Sequence, residues 1–167
     1  MEQLMSKRTF LGAAAAALGG IFVGGCRDRS AAEAAPGETF EITKSAEEWR
    51  TTLSPAQFAV LRQAHTERAG SSPLDDEHRR GTFVCAGCAL PLYRSEAKYD
   101  SGTGWPSFFE PIEGAIRTRP DPGLFGTQTE VHCRRCGGHL GHVFDDGPPP
   151  TGKRYCMNGV AMNFVPA

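Results

Sequence analysis

Hydrophobic positions along this chain fall into three regimes. From Phe10 to Val23 the chain is almost continuously apolar and rich in small residues, with Lys7-Arg8 ahead of it. Such a run is short for a membrane span and reads as the h-region of a secretory signal behind a positive n-region. Arg27 to Gly37 mixes Ala, Ser and charged residues without a period, as a flexible tether does. Two segments of helical period follow. Ser45-Ala46-Glu47-Glu48 has the form of a capping box, with Trp49 and Leu53 on the apolar side. Ser54-Pro55-Ala56-Gln57 repeats it, with proline at the first helical position. Phe58, Val60, Leu61 and Ala64 carry an apolar stripe to about Arg68, and Gly70 ends it. From Thr82 the period shortens. Brief apolar runs alternate with Gly, Pro and Asp: Thr82 to Val84, Leu90 to Tyr93, Ile112, Ala115-Ile116, Thr129 to His132, His142 to Phe144 and Gly159 to Phe164. These predict the antiparallel strands of a mostly-β domain behind two short helices.

The chain of 167 residues therefore divides into a signal over 1–25, a linker over 26–41 and one folded domain over 42–167. Ser6 to Leu11 resembles a twin-arginine export signal, except that Lys7 stands where the first arginine belongs. Val23-Gly24-Gly25-Cys26 resembles a bacterial lipobox, whose cysteine is lipidated and becomes the first residue of the mature chain. The alternative is a plain cleaved signal with an incidental cysteine. Both readings predict an exported bacterial protein, periplasmic or otherwise extracytoplasmic. The first adds a lipid anchor at Cys26. Composition is that of an ordinary globular domain, 40% hydrophobic and 22% charged. A net charge of −1 and the lack of a basic run argue against a nucleic-acid partner.

Six cysteines sort into three kinds. Cys26 ends the leader. Cys85 and Cys88 form one C-x-x-C pair, Cys133 and Cys136 a second, each just after a predicted strand. Two such turns supply four thiolates, the ligand set of a closed tetrahedral structural zinc. Disulfides, common in exported proteins, and a redox C-x-x-C compete with that reading. Against disulfides, bridging within a C-x-x-C closes too small a loop to stabilise much. Against the redox reading, no thioredoxin-like βαβ pattern is present.

Cys156 remains, two residues after Arg154 and two before Asn158, so the three share a face in a strand. A guanidinium beside a thiol favours the nucleophilic thiolate. Alone, though, such a cysteine reads equally well as a small buried hydrophobe. His139 and His142 lie just past the second C-x-x-C. Four cysteines saturate a zinc without them, which leaves both imidazoles for proton transfer or for a structural hydrogen bond. On a regular strand they face opposite ways; on a turn both reach one cleft. Lys98 to Phe108 places Trp105-Pro106 after two glycines, a setting for an apolar wall beside a ligand or for a turn with a core tryptophan.

Together these motifs resemble the peptide-methionine (R)-S-oxide reductases, the B-type methionine sulfoxide reductases. The match runs from about Trp49 to Val165. It takes in Thr66-Glu67, both C-x-x-C pairs, Lys98 to Phe108, His139 to Phe144, Gly147-Pro148 and Thr151 to Asn158. The resemblance implies a tent-like fold of two antiparallel sheets, with one structural zinc on the side away from the active site. It implies Cys156 as the nucleophile, attacking the sulfur of the R sulfoxide in oxidised proteins and becoming a sulfenic acid as methionine leaves. His142 and His139 match the active-site histidines, and Asp146 the carboxylate of the following turn. Arg154 and Asn158 match residues that activate the cysteine and position substrate. Trp105 matches the ring that packs on the methyl group, and Phe164 an aromatic of the same pocket.

One departure bears on turnover. Thr103 stands where many members of that family carry a resolving cysteine. The resemblance is therefore to a single-cysteine subtype, recycled by an external thiol such as a thioredoxin-like reductant, and a monomer is expected. Met157 and Gly159 also differ from the commoner residues beside the nucleophile. Two other classes stay open on sequence grounds: a zinc-stabilised β-tent binding module without turnover, and a thiol redox sensor built on the C-x-x-C pairs.

Overall fold

The protein is described by a computed structural model over residues 38–123 and 126–167. The expected signal, Cys26 and most of the expected linker lie outside the described residues. Glu38 to Glu41, assigned by sequence to the linker, lie against the domain. Glu38 meets Arg117 at 3.2 Å and His132 at 3.0 Å, the Phe40 ring stands edge-on to His132, and Glu41 pairs with Arg134 and Arg135. An anionic and aromatic stretch has found the cationic face beside the second C-x-x-C.

Helices α1 (Ala46–Thr52) and α2 (Pro55–Gln63) form where the capping boxes predict, each box complete with both reciprocal hydrogen bonds. Trp49, Phe58, Val60 and Leu61 are their buried residues. Helix α2 stops at Gln63, short of the Arg68 predicted from the apolar stripe. Ala64 takes the left-handed conformation at φ 53°, and the N–H of His65 returns to the Ala59 carbonyl at 3.1 Å. The reversal frees the backbone after it for long-range partners. The N–H of Glu67 goes to Asn158 Oδ1 at 2.9 Å instead of continuing the helical ladder.

Nine strands follow among the described residues: β1 (Gly81–Cys85), β2 (Pro91–Arg94), β3 (Lys98–Tyr99), β4 (Ser107–Phe108), β5 (Ile116–Gly123), β6 (Gly126–Cys133), β7 (His139–Phe144), β8 (Arg154–Met157) and β9 (Met162–Pro166). Among the described residues they make two antiparallel sheets, one ordered β2-β1-β9 and the other β3-β4-β8-β7-β6-β5. The mostly-β expectation, with two sheets behind short helices, is what is observed. A strand at Ile112 is not; that residue sits in a loop against the core. The long β5–β6 hairpin goes beyond the short runs predicted there. Pro120 and Pro122 break the strand signal of β5, yet an edge strand accommodates proline because one of its sides makes no ladder.

The sheets meet over aromatic side chains. Tyr93 stacks on Phe108 at 4.3 Å between centroids, and Phe83 packs edge-on to Phe108 at 4.9 Å, all three with no exposed surface. Burying each contributes roughly 2–3 kcal/mol of transfer free energy. The Tyr93 hydroxyl donates to Met157 Sδ at 3.1 Å, so the strand that carries Cys156 is tied to the core by its next residue. The cysteine pairs sit at a second junction. Cys85 ends β1 in the smaller sheet, Cys133 ends β6 in the larger, and Cys88 and Cys136 follow each in a turn.

One irregularity sets the face of the larger sheet. Along β6–β7 the pairs Thr129–Val143, Glu130–His142 and Val131–Gly141 keep one register, and the next pair is His132–His139. Leu140 is left without an opposite number, a β-bulge. The odd residue rotates His139 onto the same face as His142, where their rings lie 5.4 Å apart at 65°. Sequence parity alone would have separated them. Asn158 holds the bulge: both its backbone N–H, at 2.8 Å, and its Nδ2, at 3.0 Å, donate to the Leu140 carbonyl.

Candidate active site

The register of the larger sheet lines up Arg119, Glu130, His142, Cys156, Ser107 and Tyr99, one residue from each of its six strands. Directly opposed residues project to one face, so a polar row crosses the whole sheet with Cys156 near its middle. Strands β7 and β8 approach closely there because Gly141 opposes Met157. A Cβ on Gly141 would lie 2.1 Å from the Cys156 carbonyl oxygen.

Cys156 opens into a cavity of about 250 Å³ lined by Thr66, Trp105, Gln128, Gly141, His142, Phe144 and Asn158. Trp105 is fixed by an Nε1–H bond to the Glu67 carbonyl at 3.1 Å, and its loop is pinned where the Gly70 N–H donates to the Gly104 carbonyl at 2.7 Å. Gly104 sits at φ +84° against Ala69, so both its conformation and its crowding require glycine. Of the residues expected from sequence, Cys156, Trp105, His142 and Asn158 line this cavity. Arg154 and Asp146 stand next to it as a pair, bonded through two guanidinium nitrogens at 2.9 and 2.8 Å, with Arg154 over the Phe144 ring. Those bonds hold the Asp146 carboxyl below its ordinary value. His139 is buried behind the wall. Phe164 lies elsewhere, on β9 of the smaller sheet, packed on Phe83 at 5.1 Å and lining a separate cavity with Leu74 and Val160.

Burial pushes the Cys156 thiol above its ordinary value; the Thr103 hydroxyl and the Arg154 charge work in the opposite direction and do not overcome it. The expected activation by Arg154 is present in sign, and desolvation outweighs it. Part of the Arg154 charge is also engaged by Asp146.

Two imidazole–carboxylate pairs back the site, and neither carboxylate stood out in the sequence. His142 Nε2 lies 2.8 Å from Asp121 Oδ2 at the rim. His139 Nδ1 lies 2.9 Å from Glu130 Oε1, and Glu130 also accepts from Arg119. Burial alone would raise the Glu130 carboxyl, but the hydrogen bonds from His139 and Arg119 hold it at about 2. No sequence signal marked Glu130; the fold puts it at the head of four consecutive buried residues, Glu130 to Cys133. Glu67 is the third carboxylate of this region. Burial raises its carboxyl above the ordinary value, against bonds from the N–H groups of Val160 and Gly159.

The four cysteine sulfurs of the two turns lie within 4.8 Å of one another. Two contacts run between the turns, Cys88–Cys133 at 3.5 Å and Cys85–Cys136 at 3.7 Å, and all four are free thiols. Tetrahedral Zn–S bonds of about 2.3 Å place sulfurs about 3.8 Å apart, so this set fits a zinc ion and not two disulfides. Among the described residues, no helix is long and apolar enough to cross a membrane.

Comparison with known proteins narrows the chemistry. Residues 53–166 match the SelR domain. The chain is 51% identical over 127 residues to a peptide methionine sulfoxide reductase MsrB of Bradyrhizobium diazoefficiens, covering 75% of this chain and 91% of that protein. It is 50% identical over 124 residues to an MsrB of Methanosarcina barkeri, covering 74% and 87%. Among solved structures, the Mis18 "Yippee-like" domain gives a distant, partial likeness, with a TM-score of 0.44 and 17% identity over 53% of this chain and 98% of that one.

The buried thiol predicts the pH dependence of labelling. Alkylation of Cys156 by iodoacetamide should be slow at neutral pH and reach its half-point above that of an unburied thiol. Arg154→Leu should move the half-point further up. A half-point below that of an unburied thiol in the wild-type protein would contradict the balance of burial over charge.

Proposed function

Since the chain belongs to the SelR-domain family and is a B-type methionine sulfoxide reductase, we propose that it reduces the R epimer of methionine sulfoxide in oxidised proteins by attack of Cys156 Sγ on the sulfoxide sulfur. The observation that carries this is Cys156 opening into a small cavity between two aromatic residues, Trp105 and Phe144, and an imidazole, His142. A methionine sulfoxide side chain needs these three things. Its methyl group needs an apolar wall, its sulfur a nucleophile, and its oxygen a proton before it can leave.

The step conserves atoms and electrons. As the Cys156 sulfur attacks, the sulfoxide S–O bond breaks, the oxygen passes to Cys156, and the thiol proton ends on that oxygen. Methionine departs reduced, and Cys156 is left oxidised as a sulfenic acid. His142, directly opposite Cys156 in the strand register, is placed to carry the proton from sulfur to oxygen. Asp121 orients the His142 ring at the rim, and His139, anchored by Glu130, supports it from behind. Arg154 supplies positive charge near the reacting sulfur, and Asp146 acts through Arg154. Asn158 works by position, since its amide holds the Leu140 bulge that turns the histidines to one face.

Recycling is proposed to use an external thiol. Two equivalents of reductant thiol, or one dithiol of thioredoxin type, convert the sulfenic acid back to the thiol and release water and a disulfide. Thr103 lies 3.9 Å from Cys156 Sγ, at a position where an internal thiol would be within reach. Cys85, Cys88, Cys133 and Cys136 would hold one zinc ion as a purely structural cross-link, their four sulfurs leaving no open coordination position. The leader is proposed to export the domain, with Cys26 as its lipid attachment.

Three outcomes follow. With dithiothreitol as reductant, a peptide carrying the R sulfoxide should be turned over and its S epimer should not. Cys156→Ser should abolish the activity, and turnover of the S epimer alone would reject the assignment. Metal analysis should find one zinc per chain, and Cys133→Ser should lose the metal and lower the melting temperature by more than 10 °C, since a structural zinc contributes folding free energy directly. Intact-mass measurement of protein purified from bacterial membranes should show a chain starting at Cys26 with attached acyl groups. A mature chain starting elsewhere and lacking acyl mass would overturn the anchoring proposal.

A further inference from the structure

We infer that Thr103, Ser101 and Ser107 form a chain of hydroxyls whose direction reverses with the protonation state of Cys156, and that Thr103 is a donor that stabilises the thiolate. The inference rests on the reading of Cys156 as the nucleophile and adds residues to it.

The geometry fixes the direction of the chain in the resting state. Ser107, wholly buried and directly opposite Cys156 on β4, donates its hydroxyl proton to the Trp105 carbonyl at 3.1 Å. A carbonyl only accepts, and a hydroxyl has one proton. Ser107 must therefore accept from Ser101, whose Oγ lies 2.7 Å away. Ser101, its proton committed, accepts from Thr103 at 2.8 Å. Thr103 is then left to accept, and the S–H of Cys156, 3.9 Å away, is the group facing it. The whole chain runs from thiol to backbone carbonyl.

A thiolate offers no proton, so the same chain has to run backwards. Thr103 turns its O–H to the sulfur, Ser101 turns to Thr103, and Ser107 turns to Ser101. The Trp105 carbonyl then gives up its side-chain donor. Three hydroxyl rotations accomplish this without any heavy atom moving. The chain ends on a carbonyl that cannot take a proton, so the thiol proton itself leaves by another group, and His142 on the facing strand is adjacent. The charged and titratable groups facing Cys156 are Arg154 on its own strand with its partner Asp146, His142 on β7 and Tyr99 on β3. They set the field at the sulfur, and Thr103 is the foremost of its hydrogen-bond donors, ahead of Arg154 and Ser107.

The two ends of this chain act with opposite sign, which a merely structural role would not produce. Removing the Thr103 hydroxyl deletes the donor to the thiolate. Removing the Ser101 hydroxyl deletes the acceptor that competes for the Thr103 proton, and leaves Thr103 free to donate to sulfur. The test is the pH dependence of Cys156 alkylation by iodoacetamide in the full-length, metal-loaded protein, read by mass spectrometry of the Cys156 peptide. Thr103→Val should raise the half-point and slow labelling at pH 7.5 by roughly three- to tenfold, the scale of one hydrogen bond to a charged group. Ser101→Ala should lower the half-point and speed labelling by a few-fold, and Thr103→Ser should behave as wild type. If Thr103→Val does not fold, Ser101→Ala decides alone, since a half-point that rises or stays overturns the inference. Shifts of the two variants in the same direction, or no shift in either, also overturn it. Labelling needs no turnover, so failure of the reductase reading would show in the sulfoxide assay and leave these shifts unchanged.

Discussion

The bulge at Leu140 is the constraint on which the rest of the site depends. A regular β7 would send His139 and His142 to opposite faces of the sheet, one toward the core and one toward the cavity. One unopposed residue puts both on the same face, and the register beyond it sets His142 against Glu130 on one side and Cys156 on the other. A bulge costs ladder hydrogen bonds, and here the Leu140 carbonyl receives two donors from Asn158 in exchange. Asn158 is in turn bound by the N–H of Glu67, whose carbonyl holds Trp105. Histidine orientation, nucleophile strand and aromatic wall are thus settled by one connected set of bonds around a single irregular residue.

Much of this was legible in the sequence, and what was not has physical causes. The two capping boxes located both helices because each box names its own partners within four residues. The end of α2 was hidden because an alanine, Ala64, takes the left-handed conformation, and the backbone beyond it bonds to Asn158 far along the chain. Strands β3 and β4, two residues each, are too short to carry a period. Strand β5 reads as a loop because its prolines and charges suit an edge, and edges depend on topology. In the site, Cys156, Trp105 and His142 were recognisable by residue type and spacing. Glu130 was not: on a strand it resembles any outward polar position, and only Arg119 and His139, brought in from neighbouring strands, make it a buried anion. Phe164 was expected beside Cys156 and lies apart because β9 pairs with β1 in the other sheet.

The molecule separates cross-linking from reactivity by where it places its sulfur. Four thiols are drawn together between the sheets at the ends of β1 and β6, a set whose geometry suits a metal. The fifth described cysteine is held in mid-sheet, buried enough that its thiol resists ionisation, with an arginine and the hydroxyls of Thr103 and Ser107 opposing that tendency. A sulfur with an easily formed thiolate would be open to every oxidant and disulfide it met. One whose ionisation depends on its immediate neighbours can be reserved for a ligand that fills the cavity.

The prolines of β5 have a consequence for solution behaviour. Each sheet has two edge strands, and all four are poor templates for another chain. Pro120 and Pro122 interrupt β5, Pro91 begins β2, Pro166 ends β9, and β3 is two residues long. Unpaired strand edges recruit extended polypeptide into intermolecular sheets, and proline or brevity prevents it. A protein that acts on oxidised polypeptides works in the presence of such chains. Its sheets are finished so that a damaged client can offer up a side chain without being drawn into aggregation with the machinery that mends it.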